Sequence, residues 1–234
     1  MSKVILAVSA HPDDIEFSCG GTMFKYKEKG YNIYFVVATN GENGFKIGHK
    51  ARNERIRIRL NEQLKAAKKL GVKKVFFLNY RDCFLENSAE LRAKLVKIIK
   101  KVRPEMVFTF DPANKSFESI NLNHRDHRVI AESVFDAVFA ARNRYVYPGE
   151  SMAVKYFYFF GTNNPNHFEN ITKFIEKKID LIGAHRSQYN DYLAMAEWVK
   201  KHLSKYTKKY KYSEKFRIVE ITKPFVLTGA ENSQ

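Results

Sequence analysis

Four apolar runs in the first half of the chain each end on a cluster of polar residues, and helix-like segments separate them. "KVILAVSA" (3–10) is apolar at consecutive positions, so a strand built from it must be covered on both faces. "YNIYFVVAT" (31–39), "KVFFLN" (74–79) and "EMVFTF" (105–110) repeat the pattern. Between them, "GTMFKYKEKG" (21–30) reads as a short helix closed by Gly30, and residues 51–70 as a long amphipathic helix ending at Gly71. "AELRAKLVKIIKKV" (89–102) is a helix stopped before Pro104, and "HRVIAESVFDAVFAA" (127–141) is another. This rhythm predicts an α/β fold: a Rossmann-like, doubly wound, mostly parallel sheet with helices on both faces. In the last third, "VKYFYFFGT" (154–162) alternates like a strand, 168–206 reads as mostly helical, and "FRIVEIT" (216–222) reads as a late strand. One domain over 1–234 is expected, with a core of about 1–145 and a C-terminal cap over about 146–234.

In such sheets the ligand crevice lies beyond the carboxyl ends of the strands. The clusters "HPDD", "NGEN", "YRDC" and "DPANKSFESINLNHRDH", starting at positions 11, 40, 80 and 111, each follow a strand. The first sets His11, Asp13 and Asp14 directly after a buried strand, where adjacent carboxylates repel and lose solvation. The fourth sets His124, Asp126 and His127 at the mouth of a helix. Either cluster alone reads equally well as a turn, or as a helix start capped by Asp126. Together they bring three imidazoles and three carboxylates to one rim, a donor set suited to Zn²⁺ or another borderline divalent ion. His49, His167, His185 and His202 lack comparable company, and of these only His185, in "AHRSQ", draws interest. Gly20 and Gly21 read as a tight turn into the first helix, since neither phosphate-binding glycine motif is present.

Composition bounds the rest. Forty-one Lys and Arg against 25 Asp and Glu leave a net charge of +16, which suits an anionic substrate, an acidic partner or nucleic acid, although a solvated lysine-rich surface is the plainer reading. "KKHLSKYTKKYKYSEK" alternates Lys with Tyr but belongs to no nucleic-acid module, so a nucleic-acid partner is not expected. No apolar run reaches the ~18–20 residues that span a bilayer. The N-terminus is too short for a secretory signal, and two cysteines make no disulfide framework. A cytoplasmic protein is expected. The aromatic cluster "YVYP…YFYFF" offers an interface for a homo-oligomer.

"AHPDDIEFSCGGT" with a later "HRDH" resembles the LmbE/PIG-L family of zinc-dependent N-acetylglucosaminide deacetylases. "TNGENG", "RLNEQLKAAKKLGV", "YRDC", "AHRSQY" and "YSEKF" resemble further family positions, so the likeness spans nearly the whole chain. Arg125 departs from it, standing where many members have Pro. The resemblance implies one Zn²⁺ per chain held by His11, Asp14 and His127, with Fe²⁺ as the alternative ion. It implies Asp13 as general acid and base for a zinc-activated water. It further implies a protonated His124, oriented or charged by Asp126, stabilising the oxyanion, and substrate contacts from Arg59 and Asp82. From the residues alone, Arg59 reads equally as an i,i+3 partner of Glu62. The implied substrate is an N-acetylated amino sugar, and the positive charge allows it to be anionic. A metallophosphoesterase and an anion-binding protein are the rival readings.

Overall fold

Three of the four apolar runs form inner strands of a seven-stranded sheet, while the run at 74–79 forms an edge strand and is only partly buried. The computed structural model describes residues 3–44, 50–115, 117 and 123–221, so His49 and part of the fourth polar cluster lie outside the described residues. The strands are β1 (Val4–Ser9), β2 (Asn32–Thr39), β3 (Lys74–Tyr80), β4 (Met106–Phe110), β5 (Tyr156–Phe160), β6 (His167–Asn170) and β7 (Ser213–Glu220). Their order is β3-β2-β1-β4-β5-β7-β6. The first five are parallel, and β7 runs antiparallel to both β5 and β6. Every residue of β1 and β4 is buried, as an inner strand covered on both faces requires. The helices are α1 (Asp14–Glu28), α2 (Arg52–Leu70), α3 (Ala89–Val102), α4 (Arg125–Ala141), α5 (Ile175–Ile182) and α6 (Tyr192–Leu203). The main core lies around β1, β4 and β5, and a smaller one joins Ile175, Ile179 and Ile182 of α5 to Met195, Val199 and Leu203 of α6. No helix among the described residues is long and apolar enough to cross a membrane.

From β1 the chain builds outward through β2 and β3, then returns to place β4 on the other side of β1. Strand order therefore reverses between β1 and β4, where a crevice opens in sheets of this kind. The polar segments that follow β1 and β4 meet there.

Three boundaries differ from the sequence reading, each for a physical reason. The first helix starts at Asp14 rather than near residue 21, so the polar cluster is itself the helix's first turn. The region read as mostly helical from 168 opens with β6, and the late strand read from Phe216 already begins at Ser213. Gly20 and Gly21 do not make a turn: they lie inside α1, which kinks at Cys19 (φ −143°). The kink frees backbone groups on both sides, and a buried ion pair takes them up. Lys178 Nζ donates to the carbonyls of Glu16 (3.0 Å) and Phe17 (2.6 Å), and to Glu214 Oε1 at 2.5 Å. The same carboxylate accepts from Gly21 N (2.9 Å) and Thr22 N (2.7 Å). Such pairing is what makes a kink in a buried helix tolerable.

Gly21 is needed for close approach. A Cβ there would fall 2.8 Å from Ile171 Cδ1 and 2.9 Å from Ile171 Cβ. Gly21→Ala is expected to destabilise by about 1–3 kcal/mol, the usual cost of overpacking, read as a lowered denaturation midpoint with unchanged m-value.

Candidate active site

His11 leaves the end of β1, and Asp13 follows in a left-handed conformation (φ 101°) that is costly for a non-glycine residue. That conformation lets the next residue, Asp14, open α1 facing back toward β1. Asp14 Oδ2 accepts from the His11 backbone N at 2.7 Å. From the other side of the switch point, His124 caps α4, and Asp126 and His127 occupy its first turn.

Three donors converge. His11 Nδ1 lies 3.2 Å from His127 Nε2 and 3.5 Å from Asp14 Oδ2, and His127 Nε2 lies 3.2 Å from Asp14 Oδ1. Two ligands at ~2.0–2.2 Å from a tetrahedral ion stand roughly 3.3–3.6 Å apart, so the triangle has the size of a metal's coordination face. The tautomer agrees. His11 Nε2 faces Asp82 Oδ1 at 3.1 Å and Asp126 Oδ2 at 3.3 Å, so the neutral ring that a metal requires keeps its proton on Nε2 and turns its Nδ1 lone pair to the triangle. Carboxylates that orient a ligand imidazole in this way are the usual outer support of such sites. His124 adds a fourth imidazole edge to the cluster, with its ring centroid 4.8 Å from that of His11. His11, His124 and His127 also place ring nitrogens within 4.8 Å of one another.

Charge follows the geometry. Burial alone would lower the His11 pKa, but the Asp14 charge and hydrogen bonds to Asp126, Asp14 and Asp82 raise it well above the usual range. Burial would raise the Asp14 pKa, yet His127 and His11 hold it well below that of an ordinary carboxylate. Asp82, against the same opposing burial, is held at about 2 by its hydrogen bond to His11. Asp13 goes the other way: burial pushes it up, Asp14 adds to this, and Arg59 only partly offsets them. Two adjacent aspartates are thus set apart by their neighbours.

All eight residues singled out from the sequence meet at this rim, but three take different contacts. Arg59 was expected at the substrate. Its side chain is buried and donates to Asp13 Oδ2 (3.2 Å) and, through Nη2, to the Pro12 carbonyl at 2.5 Å. Its i,i+3 neighbour Glu62 instead accepts from Ser187 N (2.8 Å) and Ser187 Oγ (2.6 Å). Asp82, also expected at the substrate, lines the cleft with its oxygens facing His11 and Asn43 N, the latter at 2.9 Å. Asp126 was expected to orient His124 with its carboxylate. That carboxylate accepts from Cys83 N (2.8 Å) and Leu85 N (3.3 Å) and faces His11, while the Asp126 backbone N donates to His124 Nδ1 at 3.2 Å. A ring nitrogen that accepts cannot also carry a proton. His124 is therefore a neutral imidazole with its proton on Nε2, and burial, then the His11 and His127 charges, lower its pKa.

Two further participants, Gln63 and Phe110, escaped the sequence reading, whereas His185 drew interest there. Gln63 Oε1 accepts from Asp13 N (3.1 Å), and Gln63 Nε2 donates to Glu16 Oε1 (2.7 Å). Behind Glu16, the buried His185 places Nε2 at 3.5 Å from Glu16 Oε2. Phe110 stacks on His127 with ring centroids 3.9 Å apart. A signal for Gln63 existed: Arg59, Glu62, Gln63 and Ala66 fall at i, i+3, i+4 and i+7, so polar residues stand on the helix's buried stripe. Gln63→Leu removes the acceptor that holds Asp13 in its left-handed conformation. The expected outcome is about 1–3 kcal/mol of lost stability from unpaired buried groups and roughly tenfold slower turnover from a misplaced Asp13, checked by denaturation and by kcat at constant metal content.

The cleft these residues enclose has a volume of about 330 Å³, with Asn43, Cys83 and Gln188 completing its walls. The sheet order and the imidazole–carboxylate cluster at its switch point define an α/β protein with a candidate divalent-metal site. The family profile described as "PIG-L: GlcNAc-PI de-N-acetylase" matches residues 6–138. The chain belongs to this PIG-L family and is an N-deacetylase, a hydrolase. The diacetylchitobiose deacetylase of Thermococcus kodakarensis is 31% identical over 196 residues, covering 80% of this chain and 70% of its own. A probable N-acetyl-alpha-D-glucosaminyl L-malate deacetylase 2 of Bacillus anthracis is 28% identical over 196 residues, covering 79% of this chain and 81% of its own. Among solved structures, the N,N'-diacetylchitobiose deacetylase from Pyrococcus horikoshii matches with a TM-score of 0.84 at 29% identity, over 96% of this chain and 88% of that one.

Proposed function

We propose that the protein removes the acetyl group from an N-acetylglucosamine unit of a small molecule or glycoconjugate, using a zinc ion held by His11, Asp14 and His127. The convergence of those three donors, with the Asp13 carboxyl beside them, carries the reading. When bound, the ion supplies Lewis acidity and lowers the pKa of water. Asp13, steadied by Arg59 and by Gln63, accepts the proton of the attacking water and returns it to the amide nitrogen as the C–N bond breaks. The His124 Nε2–H donates to the carbonyl oxygen as that atom gains negative charge, and a neutral donor suffices for this. Asp82 and Asp126 act through His11 by fixing its tautomer. The products are acetate and a free amino sugar.

The relatives are named for different substrates, a diacetylated disaccharide and a malate glucosaminide. What these share is the N-acetylated glucosamine, and that part is carried to this chain. Incubating the zinc-loaded protein with a panel of N-acetylglucosaminides is expected to release primary amine and acetate in equal amounts. Chelation should abolish the release, and Zn²⁺ or Fe²⁺ should restore it. Release of phosphate from phosphomonoesters with no amine from any acetamide would replace this reading with the phosphoesterase one.

A further inference from the structure

Beside the His/Asp cleft lies a second cavity, of about 460 Å³, that shares no lining residue with the first. Its walls come from Phe17 and Ser18 of α1, the end of β5, Lys178 of α5, α6 with Tyr206 just beyond it, and Lys215 of β7. The volume falls in the range of small-molecule sites. Two properties of the lining set its chemistry.

The first is aromatic surface. Phe17, Trp198 and Tyr206 line the cavity. Trp198 is 55% exposed although it stacks on His202 (centroids 4.9 Å apart, interplanar angle 10°) and meets Phe17 edge-on at 6.4 Å. Flat apolar faces are left turned to solvent beside an enclosed space, where an apolar ligand body would cover them.

The second is uncompensated positive charge. Lys215 is half-buried at the cavity wall, and its ammonium lies 5.0 Å from the Tyr206 ring centroid. No carboxylate among the described residues pairs with it. The carboxylate next to it in sequence, Glu214, points into the protein and is taken up by Lys178, Gly21 N and Thr22 N. Burial lowers the Lys215 pKa with no neighbouring anion to oppose it. Burial likewise lowers that of His202, with the Lys215, Lys178 and Lys205 charges adding to it. A partly desolvated ammonium without a counterion is unfavourable, and an incoming anion relieves it.

We propose that this cavity is a second ligand site, which binds a small organic carboxylate with an aryl body: the carboxylate pairs with the Lys215 ammonium, and the aryl group packs on Trp198, Phe17 and Tyr206. The site is independent of the hydrolytic reading, since none of its residues takes part in that chemistry. It lies close to the cleft in the chain, because Phe17 N donates to the Asp13 carbonyl at 3.0 Å.

Trp198 is the chain's one tryptophan, so its fluorescence reports on this cavity directly. The test is titration of the full chain with 3-phenylpropionate, with the uncharged 3-phenylpropanamide as control. A saturable change in Trp198 emission is expected with the acid, with about tenfold weaker binding of the amide, the loss that follows removal of one charge-assisted hydrogen bond. Lys215→Met should weaken the acid by a similar factor and leave the amide unchanged, whereas Lys215→Arg should retain the acid. The acid should bind normally after the metal is removed by chelation, which separates this site from the metal cleft. Absence of a saturable change, equal affinity for acid and amide, or undiminished binding to Lys215→Met overturns the proposal. Loss of binding on chelation overturns it too, as does release of a dimer on adding the acid, which would assign the surface to a second copy of the chain. Should Lys215→Met fail to fold, the acid–amide contrast on the unaltered chain and its weakening by salt decide the matter.

Discussion

Alanine at His11 or His127 is expected to empty the metal site and to lower deacetylation by about a thousandfold or more, because both the Lewis acid and the activated water depend on that ion. Elemental analysis after dialysis reads the first effect, and amine release the second. The geometry makes His11 the more damaging of the two. It supplies the lone pair at Nδ1, and its Nε2–H also sits between Asp82 and Asp126. Without it those two carboxylates lose their shared donor, and two partly buried negative charges are left facing a void. His11→Ala should therefore lose stability as well as metal, whereas His127→Ala gives up a ring stacked on Phe110 and should lose mainly metal. Full metal occupancy in either variant would remove that residue from the ligand set.

Asp13→Asn is expected to keep its metal while losing roughly a hundredfold to ten-thousandfold in kcat, the range attributable to a positioned general acid–base. Asparagine suits the experiment because it tolerates the left-handed backbone that Asp13 adopts (φ 101°). Its amide oxygen can still accept from Arg59, so the scaffold is preserved while proton transfer is lost. Separating the two outcomes matters: a variant that lost both metal and turnover would only show that Asp13 shapes the site. Near-normal kcat at full metal content would take Asp13 out of proton transfer altogether.

The contrast between Asp13 and Arg59 shows where the sequence stops being readable. Polar clusters after four apolar runs could be placed on one rim from the pattern alone, because buried parallel strands and the helices between them permit few arrangements. Among the described residues, His11 and Asp14 stand across from His127, with the nearest atoms 3.2 Å apart. Arg59, Asp82 and Asp126 were placed at the rim too, but their tasks could not be read. A side chain's role depends on which of its polar atoms meet another buried polar atom, and those partners stand far off in the chain: Arg59 meets Asp13, 46 residues away, and Asp126 meets Cys83, 43 residues away. The same limit hid Gln63, 50 residues from Asp13.

α1 gives the matching lesson in secondary structure. Two glycines in sequence suggest a turn, since each lacks a Cβ and costs helix stability. Here α5 and Ile171 press against that face, Lys178 and Glu214 satisfy the broken backbone, and the helix runs from Asp14 through the pair. Tertiary packing outweighed local propensity by supplying contacts that a local reading cannot contain.

By itself the sequence determined the layered α/β architecture, the rim where the polar clusters gather, and the donor types found there, because hydrophobic period and residue chemistry are local properties of the chain. Only the tertiary structure decided which oxygen or nitrogen faces which: His11 Nδ1 toward Asp14 and His127, the Asp126 backbone N toward His124 Nδ1, and the Arg59 guanidinium toward Asp13. The reason is one of scale. Strands and helices follow from neighbours a few residues apart, whereas a tautomer or an ion pair is set over about 3 Å by groups that only folding brings together.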